Sequence, residues 1–331
     1  MNNNDRLGLA HSLEAAKAIR VTVRRWLWRK PVRSKPLAFG RARSDSARPS
    51  VFLHVPKSAG TAFSQSLGAA LGAKTIVGGF DGCLFDGFAG IDKFSPEIRN
   101  SVHLTSPMPP GDLVCGHFAL STLRREYPDA NHCTILREPF SRLLSHWLYW
   151  RQHRDDELAG WSDWAERVRR ARRPLAAFLA DSVLAPHIDN LAVRMLLWPD
   201  PRLPADCFIK PEYDKSLARD ALARLQALDF VDYLENPALV ENVGDWLGVP
   251  FALQRVNETR RAPEAFSVDL LSELTPECHG LLRARSRIDL VLWTEVVKGR
   301  GRGQRPAKVQ EKTWRDMLGH HQGIQRRMAA A

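Results

Sequence analysis

The chain has 331 residues, 44% of them apolar, and carries 48 Lys plus Arg against 37 Asp plus Glu, a formal net charge of +11. That is enough apolar material for one large domain or two small ones. The positive surplus suits an anionic partner (a polyphosphate cofactor, an acidic polymer, nucleic acid or a membrane surface) without choosing among them. Five cysteines, an odd number with no C-x-x-C pair, argue for a reducing compartment and against a disulfide frame or a zinc knuckle. No apolar run reaches 18 residues and the N-terminal region has no unbroken apolar core, so neither a membrane span nor a secretory signal is expected.

Residues 1–48 read as a basic extension. Leu9, Leu13, Ala16, Ile19, Val23 and Trp26 recur at helical steps with Lys17, Arg20, Arg24 and Arg25 between them. Over residues 9–28 this pattern serves either a peripheral contact with an anionic membrane or a helix packed on its own domain. The Pro-, Ser- and Arg-rich stretch 31–49 reads as a linker. A short buried strand, Val51 to Val55, is followed by a turn and a helix from Gly60 to Leu71 with Phe63, Leu67 and Leu71 on one face. Strands are expected at Leu113–Gly116 and Cys133–Leu136, then a helix from Ser141 to Trp150. Two or three helices are expected over 161–198, broken near Pro174 and Pro186. Phe208-Ile209 and Phe230-Val231 read as later strands, leading into helices at about 214–227 and 236–247. A long helix opens at Thr275-Pro276, with Thr as N-cap and Pro in the first position, and ends near Gly299. The glycine-rich basic run Lys298 to Arg305 reads as mobile. Short buried strands alternating with helices predict an α/β fold with a parallel sheet covered on both faces.

The stretch "SVFLHVPKSAGTAFSQSLGAAL" carries the first functional signal. The small residues Ser58, Ala59 and Gly60 let backbone N–H groups approach a ligand, and the helix that starts near Gly60 turns its positive end to the same place. Lys57 adds a full charge, and Ser58 and Thr61 add hydroxyls, so the loop is built for an anion. It lacks the G-x-x-x-x-G-K-[ST] order of a nucleotide-triphosphate loop, because Lys57 precedes the glycine and Pro56 opens the turn. Neither "LVCGH" nor "CTILR" supplies the acidic strand end that magnesium would want, so a metal-free anion loop is expected.

"FLHVPKSAGTAF" resembles the 5′-phosphosulfate loop, typically H-[IV]-P-K-[TS]-[AG]-[GS]-T, of the carbohydrate sulfotransferases. The similarity is to the Golgi-type group with the heparan and uronyl 2-O-sulfotransferases and bacterial relatives. "TILREPFSRLLSHWLYW" resembles that family's 3′-phosphate site, strand–Arg-[DE]-P-x-x-R-x-x-S-x-[YWF]. The resemblance implies transfer of a sulfuryl group from 3′-phosphoadenosine-5′-phosphosulfate (PAPS) to a hydroxyl, without a metal, by a single P-loop-like domain with a parallel sheet flanked by helices. It implies cofactor contacts from Pro56, Lys57, Ser58, Ala59, Gly60, Thr61 and Ala62 and from Arg137 and Ser145. Arg142, at the motif's second arginine, reads as structural. "CGHF" resembles the segment whose histidine is the family's general base, which points to His117. His103, His187 and Glu138 stay open as other bases, and His54 reads as structural. Cys115 stands where the 2-O enzymes carry a further histidine, a departure that weakens any inference to a uronic-acid acceptor.

Later segments fit more loosely. "HIDNLAVRMLLW" makes Asn190 and Arg194 candidate acceptor contacts, and "RVNETRRA" makes Arg260 and Arg261 candidates to close over the 3′-phosphate and adenine. Loops between about 78 and 112 and between 150 and 205 are expected to build the acceptor pocket. Arg167, Arg169, Arg170, Arg172 and Arg173 read as a solvated face or as a greeting for an acidic glycan. The expected organisation is an extension over 1–48, the sulfotransferase-like domain over 49–300 and a basic tail over 301–331. The expected partner is a hydroxylated glycan or glycolipid, not nucleic acid, and the expected place is the cytoplasm or the inner face of a membrane. A P-loop kinase or NTPase, and a basic binding protein for nucleic acid or anionic lipid, are the competing readings.

Overall fold

The computed structural model describes residues 37–40, 43–82, 84, 91–103, 106–254 and 268–329. Five parallel strands form the main sheet: β1 (Ser50–Leu53), β2 (Ile76–Val77), β5 (Leu113–Gly116), β6 (Asn131–Leu136) and β7 (Phe230–Tyr233), in the order β2-β5-β1-β6-β7. Two further short strands, β3 (Phe80–Asp81) and β4 (Val102–His103), pair with each other in parallel, and Phe80 bridges to His117 just beyond β5. All residues of β1, β6 and β7 are buried, as strands covered on both faces must be.

Helices cover the sheet. On one face α1 (Gly60–Leu71) sets Phe63 and Leu67 against Phe52 of β1, and Trp246 stacks on Phe230 of β7 at 5.0 Å. The helix stops at Gly72, whose left-handed φ of 62° lets Ala73 donate back to the Gly68 carbonyl. On the other face lie α2 (Leu120–Glu126) and α3 (Pro139–Arg151), with Trp147 and Phe140 wholly inside. The chain then makes α4 (Asp163–Arg169), α5 (Leu175–Ala180), a short turn at Ala185–Ile188, α6 (Leu191–Leu197) and α7 (Asp214–Gln226). After β7 come α8 (Leu239–Leu247) and the long α9 (Pro276–Arg300), where Thr275 accepts from the Cys278 N–H at 3.2 Å as N-cap.

Five features depart from the sequence reading. Residues 161–198 fold into more and shorter pieces than two or three helices, and Pro186 opens a helical turn instead of breaking one. Phe208-Ile209 is no strand: the Ile209 N–H donates to Asp189 Oδ2 at 2.7 Å and its carbonyl accepts from Arg287, so buried charged side chains replace a neighbouring strand. The run 298–305 is tied down, because Arg300 donates to the Val231 and Gly40 carbonyls at 2.7 and 2.6 Å and Arg302 pairs with Glu241 at 3.1 Å. Beyond it Pro306–Ala329 forms α10, not a loose tail, with Val309, Trp314 and Leu318 buried. The linker is likewise engaged at its end: Phe39 is buried and the Asp45 N–H bonds Asn131 Oδ1 at 3.0 Å. The basic pattern over residues 9–28 lies outside the described residues.

Candidate active site

The anion loop leaves β1 at its carboxyl edge. Lys57 and Ala59 both take left-handed backbone angles, with φ of 69° and 58°. Non-glycine residues hold that conformation at a cost of order 1–3 kcal/mol each, and such strain gathers at ligand sites. The alternation of hand around Ser58 is the kind of turn that gathers N–H groups into an anion-binding concavity. Gly60 is obligatory here, since a Cβ would lie 1.7 Å from His54 Nε2: the imidazole rests on the glycine. Helix α1 starts at that glycine with no side-chain cap and no acidic residue in its first turn. Its first N–H groups have no partner within the helix. Ser58 is 0% exposed and its Oγ has no hydrogen-bond partner. A buried hydroxyl left unmatched in a cradle of N–H groups fits an anion as its missing partner.

Arg137 joins this loop to the second motif. It closes β6, donates from Nη1 to the Lys57 carbonyl at 3.0 Å and from Nε to Ser141 Oγ at 3.2 Å. Lys57 Nζ stands 3.8 Å over the Tyr149 ring of α3. Burial, with the Arg137 charge beside it, lowers the Lys57 ammonium to about 8. Among the described residues neither Lys57 nor Arg137 has a carboxylate at ion-pair distance. The nearby acids are engaged elsewhere. Glu138 caps α3, accepting from Phe140 and Ser141 N–H at 3.2 and 2.7 Å and from Gln310 of α10 at 2.6 Å, and burial raises its carboxyl to about 7. Glu235 accepts from the Glu138 N–H at 2.8 Å and from Trp293 at 3.3 Å. Ser141 meets Arg137 and Tyr149 meets Lys57. Ser145, four residues from each, therefore lies between them on the same face of α3. Arg142 is buried with Nε and Nη1 unpartnered, and burial lowers it to about 10.

His117 follows β5, on the opposite side of β1 from Arg137. Its backbone is pinned between the Gly79 carbonyl (2.9 Å) and the Asp81 N–H (3.0 Å). Nδ1 lies 3.2 Å from the His54 carbonyl, and the two imidazoles lie with their centres 4.6 Å apart, tilted by 36°. With Nδ1 donating to that carbonyl, Nε2 keeps its lone pair. Burial holds the His117 pKa below the ordinary value; the carbonyl bond opposes this and the Lys57 charge reinforces it. The ring opens on a cavity of about 370 Å³ that Thr61, Ser64, Gln65, Phe80 and Cys115 also line. Within the loops expected to build an acceptor pocket, Gly79 and Phe80 reach this cavity, whereas nothing from 150–205 does.

The other candidate bases are placed elsewhere. His103 Nε2 lies 2.8 Å from the Gly78 carbonyl, His187 is packed between Trp150 and Trp164, and Glu138 is the cap described above. The structure does not present Asn190 and Arg194, the expected acceptor contacts, to the cavity beside His117: both are 0% exposed and hydrogen-bonded within the fold. Asn190 Oδ1 accepts from the Ile288 N–H at 2.7 Å, and Arg194 donates to the Asp189 and Cys207 carbonyls at 2.8 Å each. The arginines of 167–173 are spoken for as well. Arg169 and Arg172 pair with Asp155, Arg170 and Arg173 with Asp181, and Arg167 lies over Trp164. Arg260 and Arg261 fall outside the described residues. Tyr149 and Glu235 escaped the sequence reading. The four-residue step from Ser145 to Tyr149 was the available sign of the first, and Glu235, distant in sequence, gave none.

Among the described residues no helix is long and apolar enough to cross a membrane. No protein-family model matches the chain, and no curated protein sequence matches it either.

Proposed function

We propose that this chain is a PAPS-dependent sulfotransferase with a P-loop-like domain, acting on the hydroxyl of a carbohydrate or glycolipid. The observation that carries the reading is the joining of two cationic groups, Lys57 and Arg137, neither with a carboxylate at ion-pair distance among the described residues, at one sheet edge beside an unmatched buried hydroxyl, Ser58. Two separate positive stations suit a donor with a 5′-phosphosulfate and a 3′-phosphate better than a single phosphate chain. The residues from Pro56 to Ala62 would hold the 5′ end, and Arg137 with Ser145 the 3′-phosphate.

When bound, such a donor supplies an activated sulfuryl group that an oxygen nucleophile accepts. His117 Nε2 takes the proton of the acceptor hydroxyl, and its lowered basicity keeps it unprotonated near neutral pH. Lys57, steered by the Tyr149 face, together with the α1 N-terminus, offsets negative charge on the leaving phosphate side. Arg137 fixes Lys57 through its carbonyl, so the two stations are set relative to each other before any ligand arrives.

The test is turnover with PAPS and a panel of hydroxylated acceptors in the presence of a chelator. Acceptor-dependent release of 3′-phosphoadenosine-5′-phosphate (PAP) with no need for magnesium is expected. Magnesium-dependent consumption of ATP, with none of PAPS, would replace the reading with a kinase or NTPase.

A further inference from the structure

The cavity beside His117 has a lining that bears on acceptor chemistry, an inference that rests on the sulfotransferase reading. Along its α1 side stand neutral donors and acceptors, Ser64 and Gln65. The same lining holds the Phe80 ring, 5.4 Å from the His117 ring, and Ile76, left 52% exposed. Gly79 and Gly116 complete the lining. A Cβ on Gly79 would meet the Ser101 carbonyl at 2.1 Å, and one on Gly116 the Gly79 carbonyl and the Phe118 ring at 2.4 Å each, so neither position has room for a side chain. Among the described lining residues there is no Lys, Arg, Asp or Glu. The chain's most concentrated run of arginines, 167–173, is taken up by Asp155 and Asp181 and by the Trp164 face, so it offers no second cationic wall.

An acidic ring placed in this cavity would bring a carboxylate or sulfate against Phe80 and Ile76 with no counter-charge to meet it, which is costly. An uncharged ring loses nothing of that kind. It can lay an apolar face on Phe80 while hydroxyls at its edge meet Ser64 and Gln65. We propose that the acceptor hydroxyl is carried by an uncharged hydroxylated ring, seated between Phe80 and the Ser64–Gln65 side of α1. Both a neutral sugar and a phenol have this chemistry.

The test uses the full chain, PAPS as donor, and as acceptors 4-nitrophenyl glucoside and 4-nitrophenyl glucuronide, with the neutral 4-nitrophenyl xyloside, which like the glucuronide lacks the C6 hydroxyl, to separate charge from that hydroxyl, and 4-methylphenol as a further arm. The expected result is a kcat/KM for the glucoside or the phenol about tenfold or more above that for the glucuronide. The first outcome identifies a sugar and the second a phenol. Gln65→Arg should narrow or reverse the preference while leaving PAP affinity unchanged. A wild-type enzyme that prefers the glucuronide, or that binds PAP yet turns over none of the neutral rings, overturns the proposal and leaves the sulfotransferase reading standing. Failure to bind PAP at all, measured in the same samples, defeats both.

Discussion

Arg194 and Arg137 both lie among carboxylates in the interior, yet their surroundings differ in kind. Arg194 spends its donors on the Asp189 carbonyl and Oδ2 and on the Cys207 and Pro204 carbonyls. Asp189 in turn accepts from the Ile209 N–H, and Asp289 accepts from Ala192 and Val193 at 3.1 and 3.0 Å. Arg137 donates only to two neutral oxygens, while its neighbours Glu138 and Glu235 are bonded to other groups. Beside it stand Lys57 without an acid and Ser58 without any partner. Interiors normally pair their charges and satisfy their polar atoms. A cluster that does so is explained by folding alone. A cluster that does not is the one that the proposed anionic ligand would complete.

The contrast breaks most visibly at the satisfied cluster. Arg194→Ala leaves Asp189 buried and uncompensated and should cost about 3–5 kcal/mol of stability. Urea denaturation measures this, and PAP affinity of the folded fraction should stay at the wild-type value. A variant of normal stability with lost ligand affinity would move Arg194 into the site. His117→Ala should show the reverse pattern: turnover down by about 10²–10⁴-fold, with thermal midpoint and PAP affinity kept. Its acidic limb, which in the wild type lies below the ordinary histidine range, should vanish with it. Single-turnover rates across pH decide this, and a fully active variant would reject His117 as the base.

Arg137→Ala should weaken PAP by about 2–5 kcal/mol while changing stability far less than Arg194→Ala does. Lys57 gives a pH signature. Its folded value is lowered to about 8 from 10.5, so the unliganded fold disfavours the charged form below pH 8, and that penalty fades as pH rises from 8 towards 10.5. An anion needs the charged form, so PAP binding should take up a proton near pH 8 and weaken as pH rises through it. Lys57→Met should flatten that dependence in calorimetry, and an unchanged slope would mean that Lys57 does not meet the ligand. Ser58→Ala should have the smallest effect. Removing an unpartnered hydroxyl leaves stability near wild type and weakens PAP by about 1 kcal/mol, the worth of one hydrogen bond.

Much of this was legible in the residues themselves. The bounds of α1, Gly60 to Leu71, follow from a glycine, two hydroxyls and an apolar face, all local features. Thr275-Pro276 announced α9 in the same way. Partnership was not legible. Asn190 and Arg194 have the right chemistry for an acceptor contact, and only the fold reveals that residues almost a hundred positions away take up Asn190. Phe208-Ile209 reads as a strand because two apolar residues look alike whether a strand or an Asp–Arg cluster satisfies their backbone. In α10 polar and charged residues separate Val309, Trp314 and Leu318 along the chain, so their shared buried face does not stand out.

In the proposed function the Lys57 loop and Arg137 form two anion stations that a single ligand spans. Titration calorimetry of the wild-type chain with PAP and with ADP, in chelator, tests it most directly, because the two ligands differ in where their phosphates sit. PAP should bind at least tenfold more tightly than ADP, about 1.4 kcal/mol or more, and Arg137→Ala should erase the difference. Equal affinity for the two nucleotides, or an advantage for PAP that survives Arg137→Ala, would contradict it.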